Sequence, residues 1–103
     1  MSSSAVRQAP KVRFGHEIRR HTSGEIFRII REQMKLTMRD VAAATNRIAE
    51  QQDNEEYAIS ISSLSQIENR GALPNVFRLY SLSLIYGVAL TEVISWFGIP
   101  LTL

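Results

Sequence analysis

The sequence predicts an all-α domain of five helices. Three observations carry that reading. Apolar residues recur at three- and four-residue intervals between Ile26 and Phe97, polar capping residues precede the apolar runs, and Gly, Pro or Asn punctuate the gaps between them. Alternation of period two is confined to Ala58–Ser62, where a helix must also start, so no strand is expected.

Residues 1–21 have no sustained apolar period and are rich in Ser, Arg and His, which reads as a flexible basic arm ahead of a folded domain at 22–103. Thr22 and Glu25 have the spacing of a capping box, and Ile26, Phe27, Ile30 and Met34 follow at helical intervals, giving a first helix from about Gly24 to Met34. Thr37 caps a second, long helix whose inner face is Val41, Ala42, Thr45, Ile48 and Ala49. The polar run from Gln51 to Glu56 reads as a loop. Ser60 caps a short third helix with Leu64 and Ile67 on one face, and Gly71 supplies the left-handed residue that ends it. Pro74 and Asn75 open a fourth helix through Val76, Leu79, Tyr80, Ser83 and Tyr86, stopped by Gly87. Thr91 is expected to cap a fifth, carrying Val93, Ile94 and Phe97 before Gly98 and Pro100. The expected core is Ile26, Ile30, Val41, Ala42, Ile59, Leu64, Ile67, Leu79 and Leu82.

Composition narrows the function classes. At 103 residues and 45% hydrophobic content the chain has material for one core. The absence of cysteine removes disulfides and thiolate zinc sites, and His16 and His21 read as solvated arm residues with no carboxylate or nucleophile spaced to use them. Neither an enzyme, a metal nor a cofactor is expected. No apolar run approaches the roughly 20 residues of a membrane span, and the N-terminal residues lack the apolar core of a secretory signal, so a cytoplasmic location is expected. The net charge of +2 is unevenly placed. Residues 1–23 hold five basic side chains (Arg7, Lys11, Arg13, Arg19, Arg20) against Glu17, whereas Glu50, Asp53, Glu55 and Glu56 form an acidic cluster. Arg28, Arg31, Lys35, Arg39, Arg47, Arg70 and Arg78 remain available for a basic face.

Leu36-Thr37 followed by Val41-Ala42, then Ile59, Leu64-Ser65, Ile67-Glu68-Asn69, Pro74, Leu79 and Leu90-Thr91-Glu92 resemble the lambda-repressor and Cro-like (XRE) helix-turn-helix family over about residues 24–97. The resemblance implies that the second and third helices form a DNA-binding unit, with the third in the major groove. Two departures stand out. Ala42 and Ser65 lie 23 positions apart, which implies an insertion of about a dozen residues between Ala43 and Tyr57. The family's common phosphate-contacting Gln at the start of the second helix is Met38 here, so that contact is either absent or replaced by Arg39 or Thr37.

Candidate DNA-binding residues are Thr37, Arg39, Ser60, Ile61, Ser62, Ser63, Gln66, Asn69 and Arg70. The helix N-terminus and the small hydroxyls of Ser60, Ser62 and Ser63 suit close approach to phosphate; the same serines equally read as a cap and solvent-facing positions. Gln66 is the candidate base reader, since its amide pairs bidentately with adenine. Ile61 either meets a thymine methyl or is partly buried against Leu64. Asn69 and Arg70 fall where the family touches the phosphate backbone, and Glu68 is read as structural. The arm either follows a minor groove through Arg13, Arg19 and Arg20 or is a solubilising tail. A homodimer on a near-palindromic double-stranded site is expected, with Trp96, Phe97, Ile99, Leu101 and Leu103 either forming the dimer surface or packing back on the core. The acidic insertion should face away from DNA or meet a protein partner. The alternative function is a protein-interaction module or an antitoxin on the same fold.

Overall fold

Reciprocal caps fix the first two helix starts. In the computed structural model, which describes residues 21–100, the Thr22 hydroxyl accepts the Glu25 N–H while the Glu25 carboxylate accepts the Thr22 N–H, and helix α1 runs Ser23–Gln33. Thr37 and Asp40 repeat the device at the head of α2, Met38–Gln52. The Ser60 side chain caps α3, Ile61–Arg70, and Asn75 caps α4, Val76–Tyr86. Helix α5, Leu90–Ser95, starts differently from expectation: Ala89 occupies the cap position without a side-chain bond, and Thr91 lies inside the helix, exposed.

Four of the helix ends share one geometry. Lys35, Asp53, Gly71 and Gly87 all take left-handed backbone angles just past α1, α2, α3 and α4. After α1 and α2, the N–H of the next residue returns to a carbonyl five positions back, Leu36 to Arg31 and Asn54 to Ala49. The second helix therefore continues through Gln51 and Gln52, which the polar composition had assigned to a loop, and stops at Asp53. A single 3-10 turn, Glu55–Tyr57, lies within the remaining connector, started by the Asn54 side chain.

All nine expected core residues are buried. They are joined by Phe27, Tyr86 and Val93. Phe27 is the aromatic centre: its ring lies 5.3 Å from Trp96, 5.9 Å from Phe97 and 6.3 Å from Tyr86. Trp96 and Phe97 thus pack back on their own core, while Ile99 is exposed and Leu101 and Leu103 lie outside the described residues. Burial pushes the Tyr86 phenol well above its ordinary pKa, with the nearby Glu68 charge adding to the effect. No helix among the described residues is long and apolar enough to cross a membrane.

Candidate nucleic-acid interface

Helix α3 has two unlike sides. Leu64, Ile67 and Glu68 are buried, whereas Ile61, Ser62, Gln66, Asn69 and Arg70 are exposed and Ser63 is partly so. Positions 62, 66, 69 and 70 fall on one face at helical spacing. Ile61 is 42% exposed, so it belongs to the outward side rather than to the core. Asn69 and Arg70 form the last turn of α3, and the Asn69 amide donates to the Ser65 hydroxyl one turn back.

Electrostatics favour that face. Glu68 is the acid of α3, and its side chain is only 1% exposed. Arg31 from α1 grips it with two bonds, Nε to Oε2 at 2.7 Å and Nη2 to Oε1 at 3.0 Å, while Nη1 donates to the Leu36 carbonyl at 2.9 Å. The Glu68 hydrogen bonds raise the Arg31 guanidinium above its ordinary pKa. With its carboxylate turned inward and neutralised, the exposed surface of α3 carries only the positive charge of Arg70. Gly24 lets α1 and α3 approach this closely: a Cβ there would overlap the Glu68 carbonyl and stand 2.9 Å from the Ile67 oxygen.

This pairing also revises the supply of free cations. Arg31 is neutralised by Glu68 and withdrawn from a basic face, whereas Arg78 keeps its charge at a partly buried position, where its Nε donates to the Ala58 carbonyl at 3.0 Å. Arg28, Lys35, Arg39, Arg47 and Arg70 are the exposed cations that remain among the described residues. The basic arm at 1–20, with His16, lies outside them. His21 is exposed and its Nδ1 sits 3.3 Å from Glu25, so a carboxylate does stand beside it, on the surface.

At the head of α2, Thr37 and Arg39 are both exposed. The Thr37 hydroxyl oxygen accepts the Asp40 N–H as part of the helix cap. Met38 is partly buried and packs against the core. At the head of α3, the Ser60 oxygen accepts the Ser63 N–H and its hydroxyl donates to Ser63 Oγ at 3.1 Å, so Ser60 and Ser63 serve the cap while Ser62 is left open.

The connector between α2 and α3 is pinned at three successive residues. Thr45, fully buried on α2, accepts the Ile59 N–H at 2.9 Å and donates to the Ala42 carbonyl at 2.8 Å. Ser81 on α4 donates to the Tyr57 carbonyl at 2.8 Å, and Arg78 reaches Ala58. The Tyr57 ring packs edge-on against Phe77 and Tyr80. Neither Thr45 nor Ser81 stood out in the sequence as a connector anchor; the only signal was a hydroxyl interrupting an apolar stripe.

A family model described as helix-turn-helix matches residues 27–93, and the chain belongs to this lambda-repressor-like, XRE-type family of DNA-binding domains. No curated protein and no solved structure matches the chain. Membership brings DNA binding of the transcription-regulator type, and the family is not typically enzymatic.

Proposed function

We propose that the protein is a sequence-specific regulator that reads double-stranded DNA through α3 and acts in the cytoplasm as a homodimer. The carrying observation is the outward row Ile61, Ser62, Gln66, Asn69 and Arg70 on a helix whose acid is buried against Arg31. Gln66 is the base reader by its bidentate amide, Ile61 meets a thymine methyl, and Ser62 fits close to a phosphate. Thr37, Arg39, Asn69 and Arg70 hold the backbone, with Ser60 and Ser63 setting the helix N-terminus toward it. The acidic connector takes no part in DNA contact and offers a surface to a protein partner.

Selection from a random duplex pool across a salt series tests this. Enrichment of a near-palindromic site is expected, with affinity falling steeply as salt rises. Gln66→Ala should cost about 1–3 kcal/mol and relax preference at one base pair, whereas Arg70→Ala should weaken all duplexes alike and lower the salt slope by about one. No retention at low salt, together with a partner protein that stays bound in high salt, would replace this reading with a protein-interaction module or an antitoxin.

A further inference from the structure

Among the described residues, Asn69 is the one member of the outward row of α3 whose side chain is bonded to another side chain. Its Nδ2 donates to the Ser65 hydroxyl oxygen at 3.0 Å. Ser65 itself is half-buried, with exposed Ile61 one turn before it and exposed Asn69 one turn after. An unheld carboxamide turns either its carbonyl or its amide outward, and a phosphate oxygen can accept only from the amide. Of the two N–H groups on Nδ2, Ser65 takes one and the other is left for a ligand.

We infer that Ser65 is a positioning residue for DNA binding: it acts through Asn69, holding the carboxamide so that its remaining N–H meets a phosphate oxygen. The inference rests on the DNA reading proposed above and extends it to a residue that makes no DNA contact of its own. Asn69 lies in the last turn of α3, just before Gly71 ends the helix, where the helix dipole is negative and opposes an approaching phosphate. Arg70 offsets that repulsion by charge, whereas Asn69 can do so only by aiming a donor. A donor aimed before binding loses less rotamer freedom when the phosphate arrives. Residues 65 and 69 have the i,i+4 spacing at which side chains meet on a helix, so α3 alone maintains the arrangement.

The test is the affinity of the full chain for the duplex recovered by the selection above, for wild type, Ser65→Ala, Asn69→Ala, the double variant and Ser65→Thr. Asn69→Ala should weaken binding about fivefold, the worth of one neutral hydrogen bond. Ser65→Ala should weaken it about threefold, because the carboxamide must then be ordered on binding. Its salt slope should stay at the wild-type value, since no charge is removed, and its helical circular dichroism should be undiminished, since alanine favours helix. The double variant should bind no more weakly than Asn69→Ala alone, and Ser65→Thr, which keeps the hydroxyl, should restore wild-type affinity. Losses that add in the double variant, full affinity in Ser65→Ala, or a Ser65→Thr as weak as Ser65→Ala would each overturn the inference while the DNA reading stands. A wild type that binds no duplex would reject both together.

Discussion

Helix α3 is held on its two flanks by different chemistry. Toward α1 the contact is a seam of backbone and charge: Gly24 against the Glu68 carbonyl, and the Arg31–Glu68 fork with side chains 11% and 1% exposed. Toward the connector it is a set of hydroxyl and guanidinium bonds to main-chain groups, from Thr45, Ser81 and Arg78 to Ile59, Tyr57 and Ala58. The seam fixes which face of α3 points outward, because it removes the one acid from that face. The connector bonds fix where α3 begins, because they tie the chain that enters it. A longer connector between α2 and α3 costs little extra, since closure entropy grows only slowly with loop length.

The seam should fail hardest. Arg31→Met leaves the Glu68 carboxylate buried with no cation, and such an uncompensated charge costs about 4 kcal/mol, a large part of a small domain's total stability. The double variant Arg31→Met/Glu68→Met removes both charges and should return to within about 1 kcal/mol of wild type, because a buried ion pair contributes little net stability over an apolar pair of similar volume. Urea unfolding reads both. A single variant as mild as an ordinary surface substitution would show that water, not Arg31, satisfies Glu68.

The connector should fail more gently. Thr45→Val keeps the shape and deletes the hydroxyl, stranding the buried Ile59 N–H at about 2 kcal/mol. Ser81→Ala strands only a carbonyl, that of Tyr57, and should cost about 1 kcal/mol. Hydrogen exchange separates the regions: the Ile59 amide should lose protection in Thr45→Val while amides at the α1–α3 seam keep theirs. Equal loss at both would mean that the two flanks unfold as one unit.

The same contrast explains what the sequence disclosed. The apolar stripes of α1 to α4 and the family spacing from Glu68 to Pro74 identified the helices, the core and the outward face of α3, because burial follows helical periodicity. Glu68 was legible as structural, but its partner was not: Arg31 is one of several exposed-looking cations, and only the crossing of α1 on α3 selects it. The end of α2 was misplaced because Asp53, not a glycine, takes the left-handed terminal angle. Lys35 takes the same angle after α1, whose end near Met34 the apolar period placed without it, while Gly71 and Gly87 marked the ends of α3 and α4. The start of α5 misled for the opposite reason, since Thr91 looks like a cap and Ala89 does not. Thr45 and Ser81 were illegible as anchors because a buried hydroxyl's main-chain partner depends on tertiary approach.

The smallest expected effect separates the helices by how they begin. Carboxylates close the caps of α1 and α2, while neutral Ser60 and Asn75 cap α3 and α4. Hydrogen bonding to the Thr22 backbone, then to His21, lowers the Glu25 pKa below its ordinary 4.5, and bonding to the Thr37 backbone and side chain lowers that of Asp40 below 3.8. For a carboxyl depressed in the folded state, the stabilisation is complete above the ordinary value and is lost as pH falls through the folded one. Glu25→Gln and Asp40→Asn keep a neutral acceptor but cannot titrate. At neutral pH each should be slightly less stable than wild type, and the gap should close as acid protonates the wild-type carboxyls. Urea midpoints measured from pH 6 to pH 3 read this as converging curves; a gap of constant width would show that the two carboxylates act through geometry rather than charge. Because both carboxylates lie outside α3, the convergence should accompany fraying at the heads of α1 and α2 while amide protection at the Ser60 cap stays constant.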